Sequence, residues 1–149
     1  MSVQATARWL LALALVAGVG VDAAAAGPAA NYLLRCSGCH GADGSGAPQS
    51  GIPPFPGFLD AFYRDPEGRR YLLHVPGVAS SGLKPGEIAT VLNLLAQRWG
   101  TEPASLPAFT EEEVRQRQAE PVADLVGLRQ RLAARYQAAG QPVAPYPWP

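Results

Sequence analysis

Residues Cys36-Ser37-Gly38-Cys39-His40 read Cys-x-x-Cys-His. This run constrains the chain more than any other, because its spacing is that of the attachment site of a c-type haem. The two thiols reach vinyl groups on adjacent edges of one macrocycle, and the histidine that follows is carried under the iron as proximal ligand. Two other readings compete: a redox dithiol followed by a chance histidine, and part of a zinc site. A zinc site needs four ligands. With two cysteines and two histidines in the whole chain, Cys36, Cys39, His40 and His74 would have to supply all of them.

The amino terminus sets the compartment. Met1, one basic residue at Arg8, an apolar run from Trp9 to Val21 and Ala23-Ala24-Ala25-Ala26 before Gly27 and Pro28 make residues 1–26 a secretory signal peptide with small residues at the cleavage point. The run is shorter than the roughly 18 apolar residues of a membrane span; a retained anchor is the alternative. The mature protein is therefore expected to be soluble and periplasmic. Covalent haem attachment fits such an envelope compartment, and it consumes both cysteines, leaving no pair for a disulfide. Arg8 and Asp22 leave with the signal, so the even charge balance, net +0 over the full chain, is kept. That balance argues against nucleic acid or an anionic membrane as partner. What remains is one domain's length, with a core that the haem helps to fill.

Pro28 opens a first helix through Tyr32, Leu33 and Leu34 that delivers the motif. After His40, Gly41 to Pro48 and Gly51-Ile52-Pro53-Pro54-Phe55-Pro56-Gly57 read as loops. A ligating histidine usually gives its second ring proton to a carbonyl, and Pro53 is the expected acceptor, orienting His40. Phe58 to Arg64 and Pro66 to Leu73 read as two short helices broken at Asp65-Pro66. Arg64, Arg69 and Arg70 gather there, either to pair with haem propionates or as a solvated face. From Pro85, the residues Ile88, Val91, Leu92, Leu95 and Trp99 form one apolar helical stripe ending at Gly100.

Taken with the His40-Gly41-Ala42-Asp43-Gly44 continuation, the proline loop and the amphipathic last helix, residues 28 to about 100 resemble a class I cytochrome c of the small bacterial kind. The resemblance implies a mainly α fold around one covalent haem c, with the first and last helices crossing through Tyr32 and the stripe. It also implies a methionine as sixth ligand, in the loop before the last helix. Here the sequence departs from the pattern. Met1 is the only methionine and leaves with the signal. The corresponding loop begins at His74, the one free histidine, which becomes the expected distal axial ligand. A weaker donor such as Lys84 or Asn93, or a five-coordinate iron, are the alternatives. Two strong axial ligands leave electron transfer as the task, and histidine in place of methionine lowers the potential. An open face instead admits a gas or peroxide.

Residues 101–149 extend beyond the family's core, which spans residues 27–100. Thr110 and Glu113 make a capping box. Val122, Leu125, Leu128, Leu132 and Tyr136 recur at helical spacing, with Arg129, Arg131 and Arg135 towards the end, where cations suit the helix dipole. The tail from Gln141 holds four prolines and reads as extended. This extension either covers the haem domain or docks a redox partner. The sequence thus reads as a periplasmic monohaem electron carrier, not an enzyme, whose redox partner is a protein such as a periplasmic dehydrogenase or terminal oxidase. Its rivals are a ligand-binding or peroxidatic haem protein and an electron-entry subunit of a larger complex.

Overall fold

A computed structural model describes residues 26–146. The expected signal peptide, Ala26 apart, lies outside the described residues, as do residues 147–149. The fold is mainly helical, and among the described residues the only strand-like pairing is an isolated bridge between Ala47 and Ile52. No described helix is long and apolar enough to cross a membrane.

Helix α1, Pro28–Arg35, opens on proline and buries Asn31 and Tyr32 while Leu33 and Leu34 stay exposed. The chain breaks at Cys36 into the single turn α2, Ser37–His40. The loop that follows folds back on the motif: the Gly46 N–H donates to the His40 carbonyl at 2.9 Å and the Phe55 N–H to the Gly44 carbonyl at 2.8 Å. Gly46 has φ +64°, and a Cβ there would lie 2.6 Å from the carbonyl oxygens of Ile52 and Pro53. Only glycine permits this closure.

Helices α3, Asp60–Arg64, and α4, Pro66–His74, meet at Asp65. Its extended backbone is what the following proline imposes, and its carboxylate caps α4 by accepting from the Glu67 N–H at 3.2 Å. α3 starts two residues later than the sequence pattern indicates. α4 runs one residue further, so His74 is its last residue rather than the first of a loop; Val75 precedes Pro76 and ends the helix by the same rule. A short turn, α5 at Pro76–Ala79, leads to α6, Pro85–Trp99, which buries the expected Ile88, Val91, Leu92 and Leu95. α6 crosses α1, with the Tyr32 and Trp99 rings 5.4 Å apart.

Two further helices follow, α7 at Glu111–Ala119 and α8 at Leu125–Ala138. Thr110 caps α7 by accepting from the Glu113 N–H at 3.1 Å. Leu106, Phe109 and Val114 share one buried cluster with Tyr32, Leu59, Tyr63 and the inner face of α6. Leu128, Leu132 and Tyr136 of α8 form a second cluster with Phe62 of α3. Each such side chain contributes about 1.5–3 kcal/mol by leaving water. Arg69, 5% exposed, ties the two parts together. It donates to Glu113 at 2.6 Å and to the carbonyls of Tyr63, Pro107 and Ala108, and its guanidinium lies 3.7 Å over the Phe109 ring.

Candidate functional site

The break between α1 and α2 leaves Cys36 half-buried and Cys39 exposed, at the edge of a cavity of about 440 Å³. Its walls are mostly apolar. They come from Pro53 and Phe55 of the loop, Leu72 of α4, Val78 of α5 and the Val91–Leu92–Leu95 face of α6, with His40 at one side. His40 Nδ1 donates to the Pro53 carbonyl oxygen at 3.2 Å, and the ring stacks on Phe55 at 4.1 Å. With Nδ1 committed as donor, Nε2 keeps its lone pair. Burial pushes the His40 pKa down, opposed by the bond to Pro53, so the neutral imidazole that a metal requires is the favoured form.

The Cys36 thiol is pushed up, first by burial and then by Cys39. A redox dithiol needs the opposite, a nucleophile with a depressed pKa, so the burial of Cys36 disfavours that reading. Nor do Cys36, Cys39, His40 and His74 gather: no group of three or more metal-binding side chains forms among the described residues. The zinc reading is thereby set aside.

His74 stands apart from the cavity. α4 presents Tyr71 and Leu72, and Val75 follows, whereas His74 is not on the wall. Its Nδ1 donates to the Arg70 carbonyl at 2.8 Å, one turn back in the same helix, and its Nε2 is buried without a hydrogen-bond partner. Lys84 and Asn93 are likewise absent from the wall, Asn93 being taken by the backbone of Phe109. Of the three arginines considered for propionates, Arg64 is engaged by Ser105 and Glu102 and Arg69 by Glu113, while Arg70 lies 3.9 Å from Glu120 with its Nε buried and unpartnered; none of the three is on the wall.

The sequence pattern does not reveal the part that the extension plays in the cavity. Leu125, Val126 and Arg129 of α8 and Tyr146 of the tail line it. Arg129, expected as a cation near the end of a helix, is instead 4% exposed in the middle of one. Its spacing from Leu125 and Val126, four and three residues on, is the available signal.

No protein-family model matches the chain. It is 31% identical over 132 residues to a cytochrome c-552 of Thermus thermophilus, an alignment covering 75% of this chain and 86% of that protein. It is 32% identical over 110 residues to another cytochrome c-552 of Thermus thermophilus, covering 60% and 83%. The chain belongs to the c-type cytochromes, alongside these cytochromes c-552.

The cavity of this c-type cytochrome suits the family's cofactor in its chemistry. Two thiols stand at one edge, one imidazole turns an unprotonated nitrogen away from its carbonyl partner, and the remaining wall is mostly apolar, as a macrocycle requires, with Arg35 and Arg129 as its charged members. Its volume is in the range of about 300–1,000 Å³ usual for bound small molecules.

Proposed function

We propose that this chain is an exported electron carrier, not an enzyme, holding one haem c through thioethers at Cys36 and Cys39 with His40 as proximal ligand oriented by Pro53. The observation that carries this is the convergence of the two thiols and the carbonyl-anchored imidazole on one apolar cavity. One Cys-x-x-Cys-His run in the chain supports one haem. When bound, the haem supplies a one-electron couple at iron. The protein's part is to fix the ligand, keep water from the cavity and leave an edge, at exposed Cys39, through which a redox partner protein exchanges electrons. A signal peptide over residues 1–26 makes the periplasm the compartment, and a dehydrogenase or oxidase there a fitting partner.

A second reading concerns the other axial position. Ligation by His74 draws support from its ring, whose Nδ1 is committed to a carbonyl and whose Nε2 is buried and unpartnered. It also requires the end of α4 to turn, since His74 is off the wall. The stretch between α4 and α6 brings Val75, Pro76, Val78, Ser81 and Leu83 to the cavity, with no imidazole, thioether or amine among them. That lining favours an iron held by His40 alone, open to a small neutral ligand.

Two measurements on the holoprotein test these readings. A redox titration with small mediators should show a single reversible one-electron couple; failure to exchange electrons would count against the carrier. The reduced protein should bind carbon monoxide, and His74→Ala should leave that binding unchanged. Refusal of carbon monoxide by wild type, relieved in His74→Ala, would instead restore the bis-histidine site.

A further inference from the structure

The Pro53 carbonyl fixes where the His40 ring points, but a single hydrogen bond along Nδ1–H leaves the imidazole free to turn about that axis. Phe55 restrains this turn. Its ring centroid lies 4.1 Å from that of His40 with the two planes 19° apart, so a rotated imidazole would drive its edge into the phenyl face. Phe55 is itself held by two contacts. Its N–H donates to the Gly44 carbonyl at 2.8 Å, and its ring meets Trp99 at 5.5 Å.

Trp99 lies on the same glycine that holds the Phe55 backbone: a Cβ at Gly44 would stand 2.9 Å from the indole. On its other contact Trp99 meets Tyr32 at 5.4 Å, and the Tyr32 hydroxyl donates to the carbonyl of Gly41, next in the chain to His40, at 2.5 Å. The rings therefore run His40, Phe55, Trp99, Tyr32, from the motif through the loop to the crossing of α6 and α1. Phe55 is on the cavity wall and Trp99 is not, so Trp99 reaches the ligand through Phe55. The plane of an axial imidazole sets the direction within the macrocycle along which the unpaired electron of oxidised iron is spread. We propose that Phe55, seated by Trp99, is a positioning residue that sets the plane of the His40 imidazole, while Pro53 sets its direction. This rests on the reading of the cavity as the haem site with His40 as proximal ligand.

A role confined to packing makes a different forecast, and proton NMR of the oxidised holoprotein separates the two, because the order of the haem-methyl resonances follows the imidazole plane. Spectra are taken as isolated if the iron is low-spin, and with cyanide bound if the sixth position is open. Phe55→Leu keeps an apolar side chain on the wall but removes the flat face, and should lose the wild-type methyl order. Phe55→Tyr should keep it. Trp99→Leu should shift the methyl resonances in the same sense as Phe55→Leu, although Trp99 is off the wall. A wild-type order and spread in Phe55→Leu overturns the proposal, even if thermal stability drops, since lost packing alone would do that. If neither leucine variant yields holoprotein, wild type gives the answer. Overhauser contacts should join the Phe55 ring to the His40 ring, and the methyl shifts should vary linearly with inverse temperature, as one fixed plane requires. Missing contacts or curved shifts overturn the assignment. A wild-type protein with no covalent haem would remove the haem reading and this proposal together, whereas attached haem with an unchanged methyl order in Phe55→Leu removes the proposal alone.

Discussion

His40 and Pro53, 13 residues apart in the chain, meet through a hydrogen bond of 3.2 Å from the imidazole Nδ1 to the carbonyl oxygen. The bond depends on the loop's return over the motif, which Gly46 permits by leaving room for the Ile52 and Pro53 carbonyls. Through it the loop decides which ring nitrogen is left to bind a metal and where that nitrogen points.

Loosening the loop should therefore be felt at the iron. Pro53→Ala should keep both thioethers, since Cys36 and Cys39 are untouched, but hold His40 less firmly. Partners of this kind are worth about 10–100-fold in ligand affinity, so the pH at which acid detaches His40 should rise by about 1–2 units. Following the Soret band during acid titration measures this. An unchanged transition would mean that the stiffness of proline is not what holds this carbonyl against the ring.

Much of this arrangement is legible in the sequence because its causes are local. Pro28 and Pro85 open helices where proline costs no hydrogen bond, the Asp65-Pro66 step breaks one, and the α6 stripe has a single apolar face. Thr110 caps α7 as its sequence context indicates, but the box is half made, because the Glu113 carboxylate turns to Arg69 and Arg117 instead of the Thr110 N–H. The distal side is not legible. One extra helical residue turns His74 from a loop position into the end of α4, and helix boundaries are fixed only to a residue or two by sequence pattern. The fates of Arg69 and Arg129 depend on Glu113 and Ala144, 44 and 15 residues away. A contact made by chain reversal leaves no mark in local periodicity.

The extension should prove inseparable from the core. Phe109 is 3% exposed, packs edge-on against Tyr63, and has its backbone held on both sides by the Asn93 amide. Phe109→Ala should cost about 3–5 kcal/mol. In urea unfolding of the holoprotein, far-ultraviolet dichroism and haem absorbance should change together, at a lower midpoint than in wild type. A variant whose haem band keeps the wild-type midpoint would show that the extension folds on its own account.

Acid should act on the same junction. Glu113 is held below the usual carboxylate range, chiefly by the hydrogen bond from Arg69 against the opposing effect of burial. At Asp65 burial pushes the pKa up, but the bonds from Tyr136 and Arg135 outweigh it and leave the carboxyl low. A depressed folded-state pKa gives stability that is complete above the unfolded value, about pH 4, and is lost as pH falls through the folded one. Glu113→Gln should lower stability near pH 7 by about 3 kcal/mol, because Arg69 stays buried without its partner, and flatten the acid limb. Thermal melts between about pH 2 and pH 7 check both; a parallel limb in the variant would assign the acid loss elsewhere.

Covalent attachment underlies every other claim about this protein, and the mass of the mature holoprotein tests it most directly. Wild type should carry one haem joined by two thioethers. Cys36→Ala and Cys39→Ala should each retain at most one thioether and give sharply less holoprotein. A wild-type mass equal to the bare chain, or two intact covalent bonds in either variant, would contradict it.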